Sequence, residues 1–152
     1  MKMRTEILIA EDDDGHATLI ERNLRRAGIE NTIRRFRDGK EVLDFLFDTG
    51  KNKKRRKKPD GSYVLLLDLR MPRIGGIEVL RKVKRDNILD KMPVIVLTTT
   101  DNPADVDRCY KLGCSNYVKK PIDYTKFVDA IKLIGHFLLV NEIPQLEKEA
   151  PQ

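Results

Sequence analysis

Four acids in a row, Glu11-Asp12-Asp13-Asp14, follow the apolar run Ile7-Leu8-Ile9. A lone acid, Asp68, follows Tyr63-Val64-Leu65-Leu66-Leu67, and Thr98-Thr99-Thr100 follow Pro93-Val94-Ile95-Val96-Leu97. Lys119-Lys120 come after Asn116-Tyr117-Val118 and just before Pro121. The segment Asn31 to Phe36 supplies nothing comparable. Taken singly, each residue has an ordinary structural role. Asp13 or Asp14 can cap a helix or complement its dipole, Thr98 suits a strand as a β-branched residue, and Lys120 can be a surface lysine. Their recurrence just after apolar runs makes coincidence a poor account of the set. Two carboxylates ~4 Å apart repel by about 4 kcal/mol at an effective dielectric of ~20. Three converging carboxylates therefore need a cation. An all-oxygen, carboxylate-rich, water-accessible site suits Mg2+, which keeps several waters and takes phosphate oxygens as further ligands. No Walker pattern or dinucleotide fingerprint occurs, which argues against ATP and NAD. His16 and His136 are too scattered for a histidine metal site and read as surface or helix residues.

These residues meet only if the apolar runs lie side by side. Strand-like and helix-like segments alternate five times along the chain. Helical patterns follow the runs at Ala17, Leu19, Ile20 and Leu24, ending at Gly28; at Val42, Leu43, Phe45 and Leu46, ending near Gly50; and at Ile77, Val79, Leu80 and Val83. Asp38-Gly39-Lys40-Glu41 has the form of a capping box. Asn102-Pro103 opens a fourth helix, which Gly113 ends, and Asp123 caps a long fifth. The runs at 63–67 and 93–97 are almost wholly apolar, as in central parallel strands covered on both faces. The charged 31–36 segment, with Arg34 and Arg35, reads as an edge strand. Five strand–helix repeats predict an α/β fold, a parallel sheet with right-handed crossovers and helices on both faces. In such sheets ligands bind beyond the carboxyl ends of the strands, where the polar residues stand.

The chain has 152 residues, 40% apolar and 36% charged, the balance of one soluble globular domain. No apolar run approaches the ~18 residues of a membrane span, and the short run after Met1 is no signal-peptide core. A cytoplasmic protein with two free thiols, Cys109 and Cys114, is the expectation. The net charge is +6, but Lys51-Asn52-Lys53-Lys54-Arg55-Arg56-Lys57-Lys58 carries seven positive charges, and subtracting them leaves −1. The basic character belongs to one loop, not to the fold.

Glu11-Asp12, Asp68-Leu69-Arg70-Met71-Pro72, Thr98 and Lys120-Pro121 together resemble the pattern of CheY-like receiver domains. The resemblance runs from about residue 5 to residue 138, in the right order on the right elements. It implies a doubly wound, flavodoxin-like, five-stranded parallel sheet with strand order 2-1-3-4-5. Residues 1–140 would be the response regulatory domain, with a basic loop at 50–62, and 141–152 a C-terminal tail. It further implies a stand-alone response regulator of a two-component phosphorelay, a phosphoprotein that accepts a phosphoryl group from a sensor histidine kinase on Asp68 and then switches conformation. Such a chain is not an enzyme, although it assists its own phosphorylation and dephosphorylation. By resemblance Asp12 and Asp68 ligate Mg2+ directly, Glu11 acts through water, and the backbone carbonyl of Arg70 is a further ligand. Thr98 and Lys120 contact the phosphoryl group, Tyr117 is the switch aromatic, and the Lys120–Pro121 peptide is cis. The chain departs from the pattern at Gly75, where the family often has Asp, at Glu11, where Asp is commoner, and at Thr99, larger than the usual Ala or Gly. The long segment before the third strand, with the tail, is similar to regulators that partner bacterial phytochrome histidine kinases.

Two other classes stay open. A nucleic-acid-binding protein would act through Lys51–Lys58, but with no aromatic residue in it the run reads better as a solvated loop. A Mg2+-dependent phosphatase would favour a second acid two residues after Asp68, where Arg70 stands. The last helix carries two apolar stripes. Phe127, Ile131, Ile134 and Leu138 suit the core. Ala130, Leu133, Phe137 and Val140 form a second stripe, extended by Leu139, Ile143 and Leu146. The expectation is a homodimer through that helix and the tail. The rival is a tail that folds back over the stripe.

Overall fold

The computed structural model of the protein describes residues 1–47 and 61–147. The run Lys51–Lys58, on which the nucleic-acid alternative rested, lies outside them, as does Gly50, the expected end of the second helix. Five strands, β1 (Glu6–Ala10), β2 (Ile33–Phe36), β3 (Tyr63–Leu67), β4 (Val94–Thr98) and β5 (Asn116–Lys119), form one parallel sheet in the order β2-β1-β3-β4-β5. Among the described residues five α-helices separate and follow them: α1 (Asp14–Arg26), α2 (Gly39–Phe47), α3 (Gly76–Arg85), α4 (Pro103–Leu112) and α5 (Tyr124–Val140). This is the doubly wound arrangement that the alternation predicts.

Strand periodicity divides the core. Ile7, Ile9, Val64, Leu66, Ile95 and Leu97 face one side, where they meet Ile20 and Leu24 of α1 and Phe127, Ile131 and Ile134 of α5. Leu8, Ala10, Leu65, Leu67, Val94 and Val96 face the other, against α2, α3 and α4. Because side chains alternate along a strand, a run apolar at every position is the signature of a strand covered twice, and every residue of β3 and β4 is buried. β2 is shorter than the 31–36 segment, because Asn31 is spent on the chain start: its amide donates to the carbonyls of Lys2, Met3 and Thr5.

The helix starts follow the sequence signals. Asp13 accepts from the His16 N–H at 2.9 Å, Asn102 from Ala104, and Asp123 from Lys126. Gly113 closes α4 at φ 109°. The tail does fold back. Gly61 and Leu146 form an antiparallel bridge, Leu146 is buried, and Ile143 packs on the α1/α5 core. It leaves the second stripe of α5 uncovered, with Leu133 68% exposed, Phe137 47% and Val140 79%. Among the described residues no helix is long and apolar enough to cross a membrane.

Candidate functional site

The ladder carries on one residue past the strands, and this fixes the site. Asp68 donates its N–H to the Ala10 carbonyl at 3.0 Å, Glu11 to the Phe36 carbonyl at 3.0 Å, and Lys120 to the Thr98 carbonyl at 2.6 Å. Glu11, Asp68 and Lys120 thus leave the sheet from hydrogen-bonded backbone rather than from free loops. All three are buried, as is Thr98. Glycine permits the tight packing beneath: a Cβ on Gly76 would lie 2.2 Å from the Asp68 carbonyl oxygen, so α3 can start against this strand end only without one.

Lys120 is the centre of the cluster. Its ammonium donates to Asp68 Oδ2 at 3.0 Å, to Glu11 Oε1, and to His16 Nδ1 at 3.0 Å. A buried ammonium holds its charge only with such partners. Asp68 uses its other oxygen as well: Oδ1 accepts from the Thr98 hydroxyl at 2.8 Å and from the Arg70 N–H at 3.3 Å. Burial works to raise the Asp68 carboxyl. The Lys120 charge and the Thr98 and Lys120 hydrogen bonds outweigh it and hold Asp68 below the usual carboxylate range. Glu11 goes the other way. Burial pushes it up to about 7 despite its bond to Lys120, and the Asp68 charge adds to the rise. The two neighbours therefore divide the roles, with Asp68 the carboxylate and Glu11 the holder of a proton near neutrality.

Glu11, Asp12 and Asp68 each offer a carboxylate oxygen within 4.8 Å of the others, with Asp12 exposed at the rim. The oxygen-only donor set, open on the Asp12 side, fits a hard divalent cation. Of the residues singled out in sequence, Glu11, Asp12, Asp68, Thr98 and Lys120 converge here, while Lys119 turns to Asp101 at the surface. Thr99 is exposed. Tyr117 lies farther along the same edge, half-buried, its hydroxyl donating to the Thr100 carbonyl at 2.7 Å. Burial pushes its hydroxyl up to about 12. The Lys120–Pro121 peptide, expected cis, is trans, the lower-energy isomer of such bonds by ~0.5–1 kcal/mol.

Three contributors escaped the sequence reading. His16, taken as a plain helix residue, touches the Lys120 ammonium, with its ring edge-on to Phe127. Arg73 adopts φ 66° and pairs with Asp38 at 2.7 Å, tying the turn after β3 to the start of α2. Asp38 also caps that helix through the Glu41 N–H. Arg35 of β2 reaches the acidic turn after β1. The positive φ at Arg73 has no sequence signal, since it is neither Gly nor Asn.

The sequence matches the response regulator receiver domain family over residues 7–132. The chain belongs to that family. Solved receivers share its fold along nearly their whole length. A response regulator receiver domain from Rhodospirillum rubrum is 42% identical with a TM-score of 0.87, covering 94% of this chain and 99% of its own. The Mn(2+)-bound form of the response regulator Rcp1 is 30% identical with a TM-score of 0.83, covering 91% of this chain and 98% of its own. The phosphorylated cyanobacterial phytochrome response regulator RcpA is 30% identical with a TM-score of 0.82, covering 92% and 98%. As a receiver, the chain is a response regulator of a two-component system.

Proposed function

We propose that this receiver takes a phosphoryl group from a histidine kinase onto Asp68, with Mg2+ held by Asp68, Asp12, the backbone carbonyl of Arg70 and, through water, Glu11. The single observation that carries the reading is the environment of Asp68: an ionised carboxylate at a strand end, bonded by Lys120 and Thr98, facing two further acids. In the transfer a bond forms between phosphorus and an Asp68 oxygen as the phosphorus–nitrogen bond of a phosphohistidine breaks. The leaving imidazole takes a proton from water. Phosphoryl transfer asks chiefly for positioning and charge stabilisation. Lys120 and Thr98 already donate to Asp68, so both can follow the negative charge outward to the phosphoryl oxygens. The bound cation supplies further charge against those oxygens. Thr98 and Tyr117 then act as the switch pair, Tyr117 through the loop carbonyl of Thr100.

The chain is on this reading a phosphoacceptor that assists its own phosphorylation and dephosphorylation, working in the cytoplasm on residues 1–140, with 141–152 as a C-terminal tail. The likeness to RcpA favours a phytochrome-type kinase as donor. Incubation with acetyl phosphate, with and without Mg2+, tests the reading by intact mass. Wild type should gain one phosphoryl group only with Mg2+, and Asp68→Asn none. Labelling of that variant would transfer the role elsewhere.

The exposed α5 stripe favours a second copy of the chain as partner. Leu133, Phe137 and Val140 remain open although the tail has folded back. A two-fold dimer uses one patch twice, so Phe137→Glu should give monomers that still take up phosphoryl. Light scattering of wild type at rising concentration, with and without phosphodonor, reads the premise directly. A monomer throughout would eliminate the dimer.

A further inference from the structure

Arg35 lies on the edge strand β2, opposite Ile9 of β1. Its guanidinium extends past the strand end and spends three hydrogen bonds on one turn. Nε donates to the Glu11 carbonyl at 2.9 Å, Nη2 to the Asp12 carbonyl at 3.2 Å, and Nη1 to the Asp14 carboxylate at 2.8 Å. The side chain is only 20% exposed. Two of the acceptors are the backbone carbonyls of the residues whose carboxylates, with Asp68, form the oxygen cluster. Arg37 makes an informative neighbour. It also bonds Asp14 at 2.8 Å, but its side chain is 65% exposed and this is its only ion pair among the described residues.

We propose that Arg35 is a positioning residue for the cation site: its three bonds fix the backbone of the turn after β1, so that Glu11 and Asp12 present their oxygens to a cation beside Asp68. The inference rests on the cation site proposed above. Four successive acids repel one another, and such a turn opens unless something holds its backbone. A planar guanidinium can span three acceptors in fixed directions, whereas an ammonium acts as a point charge. Groups that orient a metal's ligands typically carry about 10–100-fold of its affinity.

The alternative is that Arg35 merely offsets the charge of the acids. The two roles predict opposite signs. Removing a cation beside an acidic site should tighten divalent-metal binding, while removing a brace should weaken it. The test is Mn2+ binding to the full chain, read as free Mn2+ by electron paramagnetic resonance, for wild type, Arg35→Ala, Arg35→Lys and Arg37→Ala. Positioning predicts a Kd at least about tenfold weaker for Arg35→Ala, an intermediate loss for Arg35→Lys, and a Kd for Arg37→Ala equal to or tighter than wild type. Amide hydrogen exchange in residues 11–16 of the metal-free protein should also quicken in Arg35→Ala. Arg35→Lys keeps the charge and guards against a folding defect, as does thermal unfolding in chelator. Mn2+ binding by Arg35→Ala as tight as wild type or tighter would overturn the proposal. Failure of wild type itself to bind Mn2+ would instead overturn the cation site, a separate result.

Discussion

Replacing Lys120 with Met keeps most of the side chain's apolar stem and removes its charge from between Glu11 and Asp68. The carboxylate oxygens of the cluster lie within 4.8 Å of one another, a separation at which two unit charges repel by ~3.5 kcal/mol at an effective dielectric of ~20. Breaking a buried ion pair by deleting one partner typically costs ~3–5 kcal/mol. Glu11 already sits at about 7, with Lys120 among the influences lowering it. Without the ammonium Glu11 takes up a proton and escapes part of the repulsion, so the lower figure, ~3 kcal/mol, is expected. In a domain of this size that corresponds to a fall in Tm of roughly 6–12 °C. Mg2+ should change the comparison, because ammonium and cation compete for the same oxygens. Thermal unfolding at pH 8, in chelator and at rising Mg2+, should show the metal stabilising Lys120→Met more than wild type, while phosphorylation by acetyl phosphate slows. A variant as stable as wild type in chelator, or one protected no better by Mg2+, would refute the account of Lys120 as the internal counter-charge.

The Glu11 value sets a pH dependence. Its folded pKa of about 7 is above the ordinary 4.5, so the protonated group stabilises the metal-free fold fully below the ordinary value, and that contribution is lost as pH rises through about 7. Metal binding needs the carboxylate. Mg2+ affinity, measured by titration calorimetry, should therefore rise by up to about tenfold per unit below pH 7 and level off above it; a flat profile would remove Glu11 from the site. Gly76→Ala would drive a Cβ to 2.2 Å from the Asp68 carbonyl oxygen and 2.7 Å from Leu69 Cα. Such overpacking costs ~1–3 kcal/mol, and it should slow phosphorylation by shifting Asp68. At Gly75 the nearest atom is 3.5 Å away, so Gly75→Ala should be close to neutral in urea unfolding and in phosphorylation rate.

Much of this site could be read from residues alone, because its principal members sit at positions that strand geometry makes special. Asp68 and Thr98 end continuous apolar runs, Glu11 and Lys120 flank others, and parallel pairing brings those ends to one edge. What escaped depends on reach rather than position. His16 meets Lys120 across 104 residues of sequence through two side chains from different elements, and a helical histidine gives no sign of where its ring points. Arg35 served in the sequence only to mark an edge strand, where charges are common. Its side chain instead runs along the sheet to the turn beside it. Helix α5 and the tail were ambiguous for a similar reason: their apolar residues fit either an intrachain dock or a partner, and the structure divides them. Leu146 is buried and Ile143 partly covered within the chain, while Leu133, Phe137 and Val140 are exposed.

The arrangement also bears on how a modification at Asp68 is transmitted. A charge-assisted hydrogen bond contributes ~1.5–3 kcal/mol, whereas moving a two-state equilibrium from 1:99 to 99:1 takes about 5.5 kcal/mol. Thr98 alone is too small a lever. The structure ties Thr98 to a second lever in the same segment, because Thr100, two residues on, accepts the Tyr117 hydroxyl. The Tyr117 N–H in turn donates to the Tyr110 hydroxyl on α4 at 3.2 Å. On the proposed reading, a movement of Thr98 toward a phosphoryl oxygen would pull on the loop that holds Tyr117, and through it on the contact between β5 and α4. Lys120 acts from the other side, since new partners for its ammonium loosen its hold on Glu11 and His16. On the proposed reading the energy of switching is spread over three side chains from two strands, Thr98 of β4 and Tyr117 and Lys120 at β5, and half-exposed Tyr110 is where that chain of contacts reaches the surface.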